Sequence, residues 1–460
     1  MDEKKIAISS LDQFIFGRSP SIVRCGKGVE IGAGLVIPEI NFTLPTMEIN
    51  DSTWGEICNQ YRSMIQSVMK RAIELSVPSL LVEFETLPPM THKFEWAREI
   101  IEIISEELDT CHASTGIKCA LRVTPNDTRE FVRPPLQRQG KHWDEMMYFF
   151  ENAAAAGADL LAIESTGGKE VCDEALVNAD LQMVIFSLGV LGCRDMEFLW
   201  NHIVDACNRT NIIPSGDSAC AFGNTAMTLA DQRMIPKVFA AVVRAATIPR
   251  SLVAYEVGAV GPSKDCAYEG PYMKAICGVP ISMEGRTSAC AHLSPLGNIA
   301  QAVCDCWSNE SVANVRLLST FAPVVSMEQL AYDCRLMNTC LENSPGEAYL
   351  LRDWLVQSDA FIDPQALILH PEVVLRISRR IMSRSHYYDR TVEAVRAALD
   401  ELSEATKNGM LSLTVQEARW LDRLKDIADK VPDTENQMVE NVIHNTETLK
   451  FIPKEYGLAI

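Results

Sequence analysis

Glu164, Cys220 and Cys266 each come at the end of a short apolar run that opens into a loop: DLLAIE, NIIPSGDSAC and SLVAYEVGAVGPSKDC. One carboxylate and two thiolates are donor types that zinc accepts. Three protein donors leave the fourth position of a tetrahedral ion open to a small molecule, whereas a structural site is closed by four. The three residues are therefore a candidate zinc site with room for chemistry. Asp217 and Glu256, beside the ends of two of these runs, are candidate acids for moving a proton next to it.

Each of these residues also has a plainer reading. A lone cysteine is usually a packed core thiol. Cys220 and Cys266 depart from that pattern because they sit in the polar loops GDSAC and GPSKDC. The rival reading of Glu164 is a barrel-mouth carboxylate paired to a basic residue. Cys290, His292, Cys304 and Cys306 make a rival closed Cys3His set, although C-x-H with C-x-C is not the spacing of familiar structural zinc motifs. The segment STGGKE (165–170) is either an amide-lined anion site or an ordinary turn into a helix. Glu83, Glu85 and Arg122 end two further runs, as an ion pair or as substrate-positioning groups.

Elements that would position these residues follow from the patterning. Apolar runs at 79–85, 118–124, 159–165, 183–189, 212–218, 251–258, 280–285 and 316–325 read as eight strands buried on both faces, alternating with helices. Trp54, Ile57, Tyr61, Met64, Ile65, Val68 and Ala72 share one helical face behind the pair Thr53 and Glu56, which has the spacing of a capping box. Eight strand–helix units over about 275 residues fit a closed (β/α)8 barrel, a TIM barrel of α/β class, whose chemistry lies at the carboxyl ends of its strands. The expected organisation is an extended N-terminal arm over 1–50, the barrel with the zinc site over 51–327, and a helical C-terminal region over 328–460. In that last region Val392, Val395, Ala398, Leu399, Leu402 and Ala405 form one stripe. Leu421, Leu424 and Ile427 form another behind Thr414 and Glu417.

Composition narrows the class. The chain has 460 residues, 47% hydrophobic and 22% charged, with a net charge of -19. That charge, without any basic run, disfavours nucleic acid as a partner. No run reads as a membrane span or secretory signal, so a cytoplasmic location is expected and the 15 cysteines are expected as thiols. Motifs of dinucleotide-binding folds, P-loops, H-E-x-x-H metalloproteases and α/β-hydrolases are missing.

The stretches LAIESTGGKEV, GDSACAFGNTAM, PRSLVAYEVGAVGPSKDCAYE and CDCWSNESV, with EIGAGLVIPEIN and KFIPKEYG near the two ends, resemble the zinc-containing methanol:corrinoid methyltransferase family. That family supplies the methanol-activating subunit of a methyl-transfer system in anaerobic methanogens and acetogens. The resemblance implies a (β/α)8 barrel with an added helical region and zinc held by Glu164, Cys220 and Cys266. It also implies a partner protein whose corrinoid cobalt is brought to the barrel mouth, and a catalytic chain that dimerises within a larger hetero-oligomer.

Methanol is a poor methyl donor because hydroxide leaves badly, so a Lewis acid on its oxygen is the expected remedy. Two thiolates and a carboxylate give zinc a formal charge of about -1, so a proton or a second cation is expected to assist. A dry mouth, closed by the docked corrinoid protein, is expected to protect cobalt(I) from water. The alternatives are methyl transfer from a methoxylated aromatic or a methylamine, a zinc-dependent barrel hydrolase, and a scaffold that has lost its metal.

Overall fold

The computed structural model describes residues 6–43, 47–263, 267–312, 315–445 and 450–458. An antiparallel hairpin, β1 (Arg18–Cys25) and β2 (Val29–Ala33), precedes a parallel sheet. That sheet contains β3 (Ile37–Thr43), β4 (Ser79–Glu85), β5 (Lys118–Thr124), β6 (Leu160–Ile163), β7 (Ile213–Asp217), β8 (Ser282–Glu284) and β9 (Cys306–Val312), in the order β7-β6-β5-β4-β3-β9-β8.

The gap between β7 and β8 is filled by a short extended segment at 260–263. The amides of Val260 and Gly261 donate to Pro214 and Ser215 of β7, and Ser263 bridges Ile281 in parallel next to β8. This segment is the eighth stave and closes the barrel.

Five of the eight expected strands, at 79–85, 118–124, 159–165, 212–218 and 280–285, coincide with β4 to β8. The other three are corrected. Residues 183–189 run through the helix Leu181–Phe186 into a π-helical turn, 251–258 lie mostly in the helix Ile248–Glu256, and 316–325 lead into the helix Ala322–Asn343. The first two are largely buried among neighbouring helices, whereas Leu317, Leu318 and Val325 of the third are exposed, and an apolar run of this length does not by itself distinguish helix from strand. The stretch Lys237–Glu256 is long and apolar enough for a membrane span, but its apolar window is buried inside the protein.

Two true staves come from elsewhere. β3 lies in the segment read as an arm, so the barrel begins at Ile37 rather than at 51. β9 is the CWSNESV run. The helix Ala322–Asn343 packs back on β3, on β9 and on the first long helix, Trp54–Glu74, completing the outer layer. On Trp54–Glu74 the seven expected apolar residues are all buried. Its Thr53 hydroxyl, however, donates to the Glu48 carbonyl (2.5 Å) rather than capping the helix. The Thr414 cap does form, accepting from the Glu417 amide (3.2 Å).

The barrel interior changes character along its axis. At the bottom Ile37, Leu81, Ala120, Leu160 and Cys306 pack against Val23, Cys25, Val29 and Ile31 of the hairpin, which plugs that end. Side chains alternate along a strand, so two residues further on the same inward column carries Glu39, Glu83, Arg122, Ala162 and Ser308. Arg122 there binds Glu39, lies 3.6 Å from Glu83, and donates to the carbonyls of Pro262 (3.1 Å) and Ser263 (3.0 Å). The charged layer is thus satisfied internally, and it ties the eighth stave to the opposite wall.

Candidate metal centre at the barrel mouth

Neighbouring staves β6, β7 and 260–263 deliver the three candidate ligands. Glu164 is the residue after β6; it bridges Asn126 and continues the inward column of Leu160 and Ala162. It is half-buried. Cys220 lies three residues past β7 and opens the helix Cys220–Asp231, whose amino-terminal dipole favours a thiolate. It is partly exposed and accepts from Asn224 Nδ2 at 3.4 Å. Cys266 lies outside the described residues, three positions beyond the end of the eighth stave.

Both flanks of residues 264–266 are anchored. On the near side, Pro262 accepts from Arg122 and from the Ser215 hydroxyl (2.6 Å). On the far side, the Ala267 amide donates to Ser218 Oγ (3.2 Å) and its carbonyl accepts from Arg244. Glu269 accepts from the Ala219 amide (2.7 Å) and the Ser251 hydroxyl (3.0 Å). Burial is the main force pushing the Glu269 carboxyl above its usual value. Residues 218–219 and 267–269, which flank the two cysteines, are therefore bound directly to each other.

A second set of contacts holds the loop after Glu164. Asp217 accepts from the Ser165 amide (3.2 Å) and hydroxyl (2.7 Å) and from Trp200 Nε1 (2.8 Å). Arg250 donates to the Ser165 carbonyl (2.6 Å). Asp127 accepts from the Thr166 amide (2.8 Å) while Arg129 joins it to Asp195, all fully buried. Burial pushes the Asp127 carboxyl up, but the Arg129 charge and donated hydrogen bonds outweigh it and leave it below its usual value. Tyr456, in the closing segment, accepts from the Gly168 amide (3.1 Å). The amides of Ser165, Thr166 and Gly168 are thus taken by protein groups, and STGGKE is a braced turn rather than an anion cradle.

Neither candidate acid points into the barrel. Asp217 is 1% exposed and turned into the helical layer, where Trp200 and Arg250 hold it; burial raises its carboxyl and Arg250 partly offsets this. Glu256 is the last residue of the helix Ile248–Glu256 and is gripped through both oxygens by Arg390 at 2.9 Å. Arg250, on the same helix, reaches the mouth. Glu256 lies six residues, about 9 Å of helix rise, further toward the bottom. The sequence placed Glu256 at a strand end because it read 251–258 as a strand.

Comparison with known proteins decides the family. The profile of the methanol-cobalamin methyltransferase B subunit family matches residues 2–457. The chain belongs to this family. It is 37% identical over 458 residues, 98% of each chain, to the methanol--corrinoid protein co-methyltransferase of Methanosarcina barkeri (strain Fusaro / DSM 804). It superposes with a TM-score of 0.94 at 36% identity, over 99% of both chains, on a chain of the methanol:cobalamin methyltransferase complex MtaBC from Methanosarcina barkeri. The TIM-barrel fold and the enzyme class expected from the sequence, a methyltransferase working with a corrinoid, are those of the family.

The rival Cys3His set does not assemble. Cys306 is in the apolar bottom of the barrel, Cys304 donates to the Gln301 carbonyl and Cys290 is exposed. His292 instead meets two carboxylates at the mouth, Glu284 at the end of β8 (3.0 Å) and Glu310 on β9 (3.5 Å). Tyr268 donates to Glu284 at 2.7 Å, linking this group to the loop after Cys266. Glu284 was legible by the rule that found Glu164, a carboxylate closing an apolar run. Glu269 and Arg250 had no such signal, because their roles come from helices that fold back on the site.

Proposed function

We propose that this chain transfers the methyl group of methanol to the cobalt of a partner corrinoid protein, with zinc held by Glu164, Cys220 and Cys266. What supports the reading is that adjacent staves carry Glu164 and Cys220 to the mouth, with Cys266 three positions past the end of the next stave and the loops on either side hydrogen-bonded to one another, in a chain of the methyltransferase family. Two sulfurs and a carboxylate oxygen suit zinc, and a three-donor set keeps a coordination position for substrate. When bound there, zinc supplies Lewis acidity to the alcohol oxygen, which helps hydroxide depart.

The protein's own groups do the rest. Asp217, Arg250 and Asp127 fix the backbone on both sides of Ser165 and so aim Glu164. Glu269 and Ser218 couple the Cys220 and Cys266 loops, so that the two thiolates are set as one unit. Glu284, His292 and Glu310, whose donor atoms lie within 4.8 Å of one another, are the mouth group suited to hold the proton or second cation that is expected to assist the leaving oxygen. The open mouth is the surface for the corrinoid protein, and its docking excludes water from cobalt(I). The assembly read from the sequence, a homodimer of this chain within a larger hetero-oligomer, belongs to the same proposal.

Metal content and methanol-dependent methylation of a reduced corrinoid protein, measured together, test the reading. Wild type should carry one zinc per chain and turn over. Cys220→Ala and Cys266→Ala should fold, lose the zinc and lose turnover. Retention of zinc in both variants would reject the site, and undiminished turnover without zinc would reject the mechanism.

A further inference from the structure

A second group of metal-donor side chains lies on the rim, in residues the methyl-transfer reading does not use. His92 ends the short helix Pro88–His92 that follows β4, and His142 and Glu145 lie near the start of the helix Lys141–Ala156 that follows β5. The loops after β4 and β5 thus bring two imidazoles and a carboxylate together. One donor atom of each lies within 4.8 Å of the other two.

His92 Nδ1 and Glu145 Oε2 are 2.7 Å apart, and the two imidazole centroids are 4.9 Å apart at a tilt of 54°. His142 Nδ1 is buried and has no hydrogen-bond partner among the described residues. Phe131 packs on both rings, with centroids 6.0 and 6.1 Å away, and partly shields them. A simple His92–Glu145 ion pair does not account for a second imidazole held against it with a buried nitrogen left over. A cation taking the place of the shared proton does.

We propose that His92, His142 and Glu145 form a second, rim metal site for a borderline divalent cation such as nickel or zinc. Two nitrogens and one carboxylate oxygen match the preferences of those ions, and three protein donors leave positions for water or for a group on a docked partner. The site would clamp the loop after β4 to the start of the helix after β5. It is independent of the zinc reading, since it shares no residue with Glu164, Cys220 and Cys266.

Nickel binding to the full chain carrying its own zinc tests this, by equilibrium dialysis with elemental analysis and by melting temperature with and without nickel. Wild type should take up one nickel per chain without releasing zinc, and should melt higher in nickel. His92→Gln and His142→Gln should lose both effects while His202→Gln, a surface histidine outside the cluster, keeps them. Glu145→Gln, which leaves both rings in place, should weaken binding if either histidine variant fails to fold. No uptake by wild type at millimolar nickel, or equal uptake in wild type and the cluster variants, would overturn the proposal.

Discussion

The two ends of this barrel are built from the same strands yet treat the same residue types in opposite ways. At the bottom, Cys25 and Cys306 are sealed among Val23, Ile31, Leu81 and Leu160, and burial pushes the Cys25 thiol up to about 12 and the Cys306 thiol well above its usual value. Neither will be a thiolate near neutrality, so neither is a nucleophile or a ready metal ligand. At the mouth Cys220 starts a helix, keeps some exposure and has an amide donor on its sulfur. Ten of the 14 described cysteines are buried, so cysteine content alone says nothing about chemistry. Position along the barrel axis separates packed thiols from those placed to act as ligands.

The sharpest break between the ends comes from exchanging a thiol at each. Cys220→Ala should abolish methanol-dependent methyl transfer, a loss of about 10³-fold or more if the metal contributes some 4 kcal/mol to the barrier, with zinc gone from the purified chain. Cys306→Ala should retain zinc and turnover and cost about 1 to 2 kcal/mol in urea unfolding, for a small cavity in the bottom core. Equal effects at both positions would erase the distinction.

Next in size is the scaffold behind Glu164. Asp127→Asn leaves the buried Arg129 facing Asp195 alone and should cost about 3 to 5 kcal/mol in urea unfolding. Asp217→Asn keeps an acceptor for Trp200 but removes the charge opposite Arg250. Turnover should fall through misplacement of Glu164, while the pH profile keeps its shape. A lost or shifted acidic limb would restore Asp217 as a proton donor. Smallest is Glu256→Gln at the lower end: about 1 kcal/mol of stability, with turnover and pH profile as in wild type.

The same division explains what the sequence could disclose. β4 to β8 were legible because their runs are apolar, or end in the functional residues themselves. β3 (IPEINFT) and β9 (CWSNESV) were not, because their inward faces carry Glu39, Asn41, Ser308 and Glu310, which the rule of continuous apolar runs rejects. Conversely 183–189 and 251–258 satisfy that rule as helices, since a fully enclosed helix has no polar face to betray its period. Glu164 and Cys220 were singled out by residue type and loop composition, and the structure places both at the mouth. The two candidate acids sit elsewhere than the strand-end reading implies: Asp217 faces the helical layer, and Glu256 ends a helix where a strand was expected.

X-ray absorption at the zinc edge of the purified wild-type chain puts the central claim to the test most directly. Two sulfurs at about 2.3 Å with lighter oxygen or nitrogen donors at about 2.0 Å is the spectrum this account predicts. A zinc shell with no sulfur, or with four, would contradict it.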